Sequence, residues 1–378
     1  MRIGILTLPL HTNYGGILQA YALQTVLERM GHNVVVIEQE SKSRTSYWKM
    51  LFQLIPRLYK RKIQKKDIQL LPEIFERRFK PVIQKNTNEF IKKNLNVKSD
   101  FSYMKVVISN RLDFIIVGSD QVWRPMYVDN IEDYFIGFDP QLTVRRISYA
   151  ASFGVDKWEF SDEQTKICSC LIRKFDAVSV REKKGVDFCE NYFNIKAALV
   201  LDPTLLLKRA DYMKLLKKEK VSQGNLFCYI LDETSKKESL IKKIAELNGL
   251  KPFYVKSKET PSLKNCVKNI DECVIPGVLT WIQAFKDAEL VVTDSFHGCV
   301  FSIIFNKPFW VFINSERGSA RFDSLLSLFN LEDRIISIDK DFSQFDWNRV
   351  IDWSSVNHLK TLYEEKSICF LQKHLKTK

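Results

Sequence analysis

Residues 2–38 read R-I-G-I-L-T-L-P-L-H-T-N-Y-G-G-I-L-Q-A-Y-A-L-Q-T-V-L-E-R-M-G-H-N-V-V-V-I-E, and this stretch decides the fold. Residues 2–8 form a short apolar run of the kind that makes a buried strand. A loop with two adjacent glycines follows. Ile17, Leu18, Tyr21, Ala22, Val26 and Leu27 then recur at helical spacing, and Gly31 marks the helix end. V-V-V-I-E supplies a second strand. Strand, loop, helix and strand in that order open a parallel, doubly wound sheet.

Outward from this unit, further strands are expected at 113–118, 147–152, 177–180 and 198–202, with helices at 161–175 and 183–193. A polar stretch, K-L-L-K-K-E-K-V-S-Q-G-N (214–225), separates these from a second alternation. There L-F-C-Y-I-L, P-F-Y-V-K, E-L-V-V-T-D and P-F-W-V-F-I read as strands with helices between them. The expected architecture is α/β, with two Rossmann-like domains facing a cleft where a ligand would sit. The first spans 1–212, with a basic helical insertion at about 41–99, and the second spans 213–350. A C-terminal helix within 351–378 is expected to pack back on the first domain.

Composition narrows the class. A chain of 378 residues with 45% hydrophobic and 12% aromatic residues can fill two cores. Only 13 Gly and 11 Pro argue against long disordered linkers. No apolar run approaches the ~18 residues of a membrane span. The first residues lack a small-residue cleavage site and run into a loop, so they read as a strand and not as a leader, which makes the expected location cytoplasmic. The eight cysteines form no CxxC pair and sit mostly among apolar residues, so neither a disulfide framework nor a metal site is expected.

The net charge of +13 is concentrated: residues 41–99 hold 16 Lys and Arg against 4 Asp and Glu, which is +12. Within them Trp48, Leu51, Phe52, Ile55 and Tyr59 recur at helical spacing among cations. Two readings stand open. One is an amphipathic helix lying on anionic lipid, giving peripheral membrane contact through residues 41–99. The other is a helix that caps the first sheet with its cationic edge in water. Pro56 would kink either helix. Nucleic acid is not the expected partner.

Chemistry-bearing residues fall at strand ends. His297, in T-D-S-F-H-G (293–298), follows one strand and precedes a helix. It is either a core histidine or one delivered to the cleft, where Ser295, Gly298 and the helix's free N–H groups would make an anion-binding end. Arg181 ends V-S-V-R, and Arg317 and Arg321 lie in N-S-E-R-G-S-A-R-F. Arg181 either pairs locally or reaches into the cleft, and three guanidiniums converging there would suit a small polyanionic ligand. T-N-Y-G-G lacks G-x-G-x-x-G spacing, so a dinucleotide site is not supported, but Asn13, Tyr14, Gly15 and Gly16 would let a ligand approach the backbone. V-G-S-D-Q-V-W offers Ser119, Asp120, Gln121 and Trp123 as amide, carboxylate and indole partners for a sugar, or as a capped turn.

Taken in order, N-Y-G-G-x-L-Q-x-Y-A-L-Q, V-G-S-D-Q-V-W, I-S-Y-A-A-S-F-G, V-S-V-R-E, L-D-P-T-L-L and T-D-S-F-H-G with N-K-P-F resemble the polysaccharide pyruvyl transferase family over about residues 1–325. The resemblance implies a GT-B-like fold. It implies transfer of pyruvate from phosphoenolpyruvate onto two hydroxyls of a sugar as a cyclic ketal, in polysaccharide or capsule synthesis, with no cofactor beyond that donor. His297 corresponds to the family's catalytic histidine and Arg181 to an arginine that binds the donor. Many members carry R-x-H-G, whereas this chain has Ser295 two residues before His297, so Arg317 or Arg321 is expected to supply the missing cation. The acceptor is expected to be a sugar, lipid-linked in one version, at the inner face of the cell membrane. The competing readings are a GT-B glycosyltransferase using a nucleotide sugar, with Glu238 or Asp271 as a ribose partner, and a non-catalytic relative of the family.

Overall fold

The computed structural model describes residues 1–40, 56–57, 59, 72–138, 143–216, 222–313, 319–338, 342–347 and 349–376. Strands β1 (Arg2–Leu6), β2 (Asn33–Gln39), β3 (Val97–Asp100), β4 (Phe114–Val117) and β5 (Arg145–Ser148) form one parallel sheet in the order β3-β2-β1-β4-β5. Central β1 is buried because Ile3, Ile5 and Leu6 are covered on both faces. Helix α1 (Tyr14–Arg29) follows it, and the Asn13 side chain caps it by accepting from the Gly16 N–H at 3.2 Å. A two-stranded extension, β6 (Ser179–Val180) with β7 (Ala198–Leu199), completes the first domain.

The second sheet holds β8 (Leu226–Tyr229), β9 (Pro252–Phe253), β10 (Leu290–Thr293), β11 (Phe309–Phe312) and β12 (Ile335–Ile336), all parallel, ordered β12-β11-β10-β8-β9. Both orders are doubly wound, and in such sheets the crevice opens where the strand order reverses. In the first sheet that point lies between β1 and β4, whose C-terminal loops carry Asn13 and Asp120. In the second it lies between β8 and β10, whose loops carry Leu231, Asp294 and Ser295.

The domains share an apolar core that runs through Tyr14, Phe227, Trp281 and Phe301. Tyr14 stacks on Trp281, in α2 (Val278–Asp287), with centroids 5.5 Å apart, and donates its hydroxyl to the Pro276 carbonyl at 2.9 Å. Helix α3 (Phe296–Phe305) is buried at all ten positions, as its nearly uniform apolar sequence requires. Asp156 of the first domain accepts from Ser319 N (2.9 Å) and Ala320 N (2.8 Å), capping α4 (Ala320–Leu328) of the second. Helix α5 (Trp353–His374) returns to the first domain, where Ser367 accepts from Leu201 N and Arg145 donates to the His374 and Lys376 carbonyls.

The basic stretch divides. Residues 97–100 are the edge strand β3, and Phe79 and Ile83 pack against Cys266 and Cys273 of the second domain. Trp48, Leu51, Phe52 and Ile55, the apolar face read from the sequence, lie outside the described residues; Tyr59 is described and is exposed. Among the described residues no helix is long and apolar enough to cross a membrane.

Candidate functional site

Two adjoining cavities occupy the cleft where both sheets reverse. One of about 330 Å³ is bordered by Ser295, Phe296, His297 and Arg321 of the second domain and by Asn13, Asp120 and Gln121 of the first. The other, about 290 Å³, is bordered by Leu8, Leu10, His11, Gly16 and Ile17. Asn13, Asp120, Gln121 and Tyr127 border both, so the two are lobes of one site.

His297 sits in the first turn of α3, where the β10 crossover delivers it to the larger lobe. The Ser295 hydroxyl makes no capping bond, so the helix's first N–H groups are left without that partner beside the cavity. Nε2 of His297 faces Oδ2 of Asp202 at 3.7 Å, an ion-pair separation and not a hydrogen bond. The other side of the ring rests on α1: a β-carbon at Gly15 would stand 2.0 Å from Nδ1 of His297. Gly15 is therefore the only residue type that leaves room for this imidazole, and the contact crosses between domains.

Asp202 is fully engaged on its own side. Oδ1 accepts from the Thr204 amide (3.0 Å) and hydroxyl (2.6 Å), and Oδ2 accepts from Arg181 at 2.7 Å. Burial alone would raise its carboxyl. The His297 imidazole, the Arg181 guanidinium and the Thr204 hydroxyl reverse this and hold it well below the usual carboxylate range. Arg181 is itself buried, with Asp202 on one side, Asp120 on the other at 3.1 Å, and Glu182 at 3.9 Å. Its guanidinium lies 4.6 Å from the Phe296 ring centroid, behind the cavity wall.

Arg321 differs. It is partly buried, borders the larger lobe, and pairs with no carboxylate within hydrogen-bonding reach among the described residues; its Nε is buried without a partner. Burial, and after it the Arg181 cation, pull its guanidinium down to about 10. Its charge is thus held at a cost that a bound anion would relieve. Its visible support is the Phe296 ring, 6.0 Å from the guanidinium carbon.

The remaining residues read from sequence divide between the site and the core. Asn13, Gly16, Asp120, Gln121 and Ser295 border the cavities. Tyr14 is committed to Trp281 and Pro276. Ser119 is buried and hydrogen-bonds Gln19, while Trp123 stacks on Phe135 and donates Nε1–H to the Tyr134 carbonyl at 3.0 Å. Gly298 packs on Thr293, where a β-carbon would stand 2.2 Å from the hydroxyl oxygen. Arg317 lies outside the described residues. Asp202 and Tyr127 were not singled out from the sequence. The L-D-P-T-L-L motif held the signal for Asp202, an acidic residue ending a strand.

Two facing doubly wound domains with a cleft between them define a GT-B-like protein. Solved structures with this fold include the UDP-GlcNAc 2-epimerase from Neisseria meningitidis bound to UDP-GlcNAc, with TM-score 0.51, 9% identity and 99% of both chains covered. The UDP-GlcNAc 2-epimerase from Methanocaldococcus jannaschii aligns over 96% of this chain and 99% of its own, with TM-score 0.50 and 12% identity. A glycosyltransferase from Rickettsia africae covers 100% of this chain and 99% of its own at 10% identity, with TM-score 0.49. No curated protein sequence matches the chain. The sequence profile of the polysaccharide pyruvyl transferase family matches residues 13–316, and the chain belongs to that family of transferases.

Proposed function

We propose that this protein moves pyruvate from phosphoenolpyruvate onto two hydroxyls of a sugar, forming a cyclic ketal and releasing phosphate. The observation that carries this reading is that His297, the uncapped start of α3 and Arg321, which has no carboxylate partner among the described residues, face one cavity. Phosphoenolpyruvate becomes electrophilic at C2 when its methylene carbon is protonated, so an acid must stand beside an anion site. His297 is that acid. Arg321 and the α3 N–H groups take the carboxylate and phosphate oxygens. Arg321 supplies the cation that Ser295 does not, and Arg181 acts from behind by fixing Asp120 and Asp202.

The smaller lobe, with apolar walls and the His11, Asn13 and Gln121 side chains, suits a sugar. A lipid-linked acceptor, handled in the cytoplasm at the membrane face, accords with the charge of residues 41–99. A nucleotide-sugar donor is less well served: Glu238 borders a cavity of about 40 Å³, room for water and not for a nucleoside.

The test is incubation with phosphoenolpyruvate and lipid-linked oligosaccharides from the native cell, followed by mass spectrometry for one added pyruvate ketal. No mass gain, together with no binding of phosphoenolpyruvate by calorimetry, would refute the reading. Arg321→Gln should raise the KM for phosphoenolpyruvate roughly tenfold to a hundredfold, because a charge-assisted hydrogen bond contributes about 1.5–3 kcal/mol. Gly15→Ala should lower kcat by at least about tenfold with the melting temperature little changed, since it pushes the imidazole off its seat by an ångström-scale step.

A further inference from the structure

We propose that Asp120 is the general base of the transfer, taking the proton of the attacking sugar hydroxyl and passing it to the departing phosphate. This rests on the pyruvyl-transfer reading above. Asp120 stands at the boundary of the two lobes and borders both, between the place assigned to the donor and that assigned to the acceptor. Its backbone is held in the left-handed region (φ 73°), which an Asp tolerates better than most side chains. The Asp120 carbonyl accepts from Val122 N at 2.8 Å and Ser152 N at 3.0 Å, so this conformation is fixed by the loops on either side.

The two carboxylate oxygens have different surroundings. Oδ1 accepts from Arg181 at 3.1 Å. Oδ2 has a weak contact, 3.5 Å, with the Asn13 amide, and Gly16 presents no side chain to cover it: a β-carbon there would come within 3.4 Å. One oxygen is thus anchored by a cation and the other is left for the cavity. The other carboxylate bordering the larger lobe, Asp294, is occupied by Lys237 (2.6 Å) and by the amides of Leu231 and Asp232. Asp202 and Glu182 lie behind the wall, held by Thr204 and Arg181 and by Ser152, Phe153 and Gly154 respectively. Among the described carboxylates that border the lobes, Asp120 has the open oxygen.

The steps then balance. His297 gives its proton to the methylene carbon, and the first hydroxyl oxygen bonds to C2 as its proton goes to Oδ2 of Asp120. The second hydroxyl oxygen bonds to C2 as the C2–O bond to phosphate breaks. Its proton restores His297, and Asp120 returns its proton to the leaving phosphate. Arg181 joins the carboxylate beside the acid to the carboxylate that is the base, through 2.7 and 3.1 Å contacts.

The experiment compares Asp120→Asn, Asp120→Glu and the native protein for phosphoenolpyruvate affinity by calorimetry and for ketal formation on the lipid-linked oligosaccharide fraction. Asp120→Asn keeps an acceptor for Arg181, so the expected result is a kcat lower by about a hundredfold or more with phosphoenolpyruvate affinity within about threefold. Retained affinity shows that the variant is folded. Should Asp120→Asn fail to fold, Asp120→Glu retains the charge but displaces the oxygen, and the same split, with at least about tenfold lower kcat, is expected. Turnover within tenfold of native for Asp120→Asn, or within threefold for Asp120→Glu, overturns the assignment and leaves the transfer reading standing. Native protein that neither binds phosphoenolpyruvate nor yields a ketal overturns the transfer reading and this assignment with it.

Discussion

His297→Ala is expected to lower ketal formation by roughly a hundredfold to ten-thousandfold while leaving the KM for phosphoenolpyruvate close to native. The split follows from what the side chain does and does not touch. Its ring meets Gly15, the edge of Phe296 at 5.3 Å, and Asp202 at 3.7 Å. The groups proposed to hold the donor, Arg321 and the opening amides of α3, belong to neighbouring positions and stay in place. Asp202 keeps Arg181 and Thr204, so its charge is not abandoned when the imidazole goes. Kinetics in both substrates, with melting of the variant as a control, provide the measurement. A variant with native kcat would remove the acid from the scheme.

The second large effect concerns folding. Lys237→Met should destabilise the second domain by about 3–5 kcal/mol, because Lys237 and Asp294 form an ion pair with both side chains 2% exposed. Methionine fills the space of the aliphatic stem but leaves the Asp294 carboxylate with two amide donors and no cation. Adding Asp294→Asn removes that stranded charge while keeping an acceptor for one of the two amides. The double variant should therefore recover much of the loss, which denaturant unfolding read through hydrogen exchange in β8 and β10 would show. A single variant as stable as the native protein would mean that the pair contributes little. The effect would reach the site as well, since Asp294 ties the two loops at the reversal point of the second sheet.

Much of this was legible in the sequence, and the exceptions have physical reasons. Apolar runs such as those of β1, β4 and β10 announce buried parallel strands because both faces are covered. β3 was hidden inside the basic stretch: V-K-S-D is largely polar, with Lys98 and Ser99 exposed, and is recruited by backbone pairing to β2 and not by an apolar pattern. β12 spans two residues, too few to leave a period. At the site, a histidine placed between a strand and a helix was visible from local order. The contact with Asp202 was not, because it joins residues 95 positions apart on different domains. Tyr14 and Trp123 resemble sugar platforms in a loop, but the sequence does not say which way an aromatic ring turns, and both turn inward. Arg181 had two open readings, local pairing or ligand binding; the structure surrounds it with three carboxylates.

The imidazole's seat is joint property. One wall, Gly15, belongs to the first domain, and the ring itself arrives on a helix of the second. Neither half of the chain alone would therefore hold the imidazole in this seat. Parting the domains would take the ring off Gly15 and, on the proposed reading, draw Asp120 and the acceptor lobe away from the donor groups of the second domain. The Asp156 cap on α4 ties the same seam together one residue before Arg321, so a carboxylate of the first domain sets where the cleft's guanidinium begins its helix.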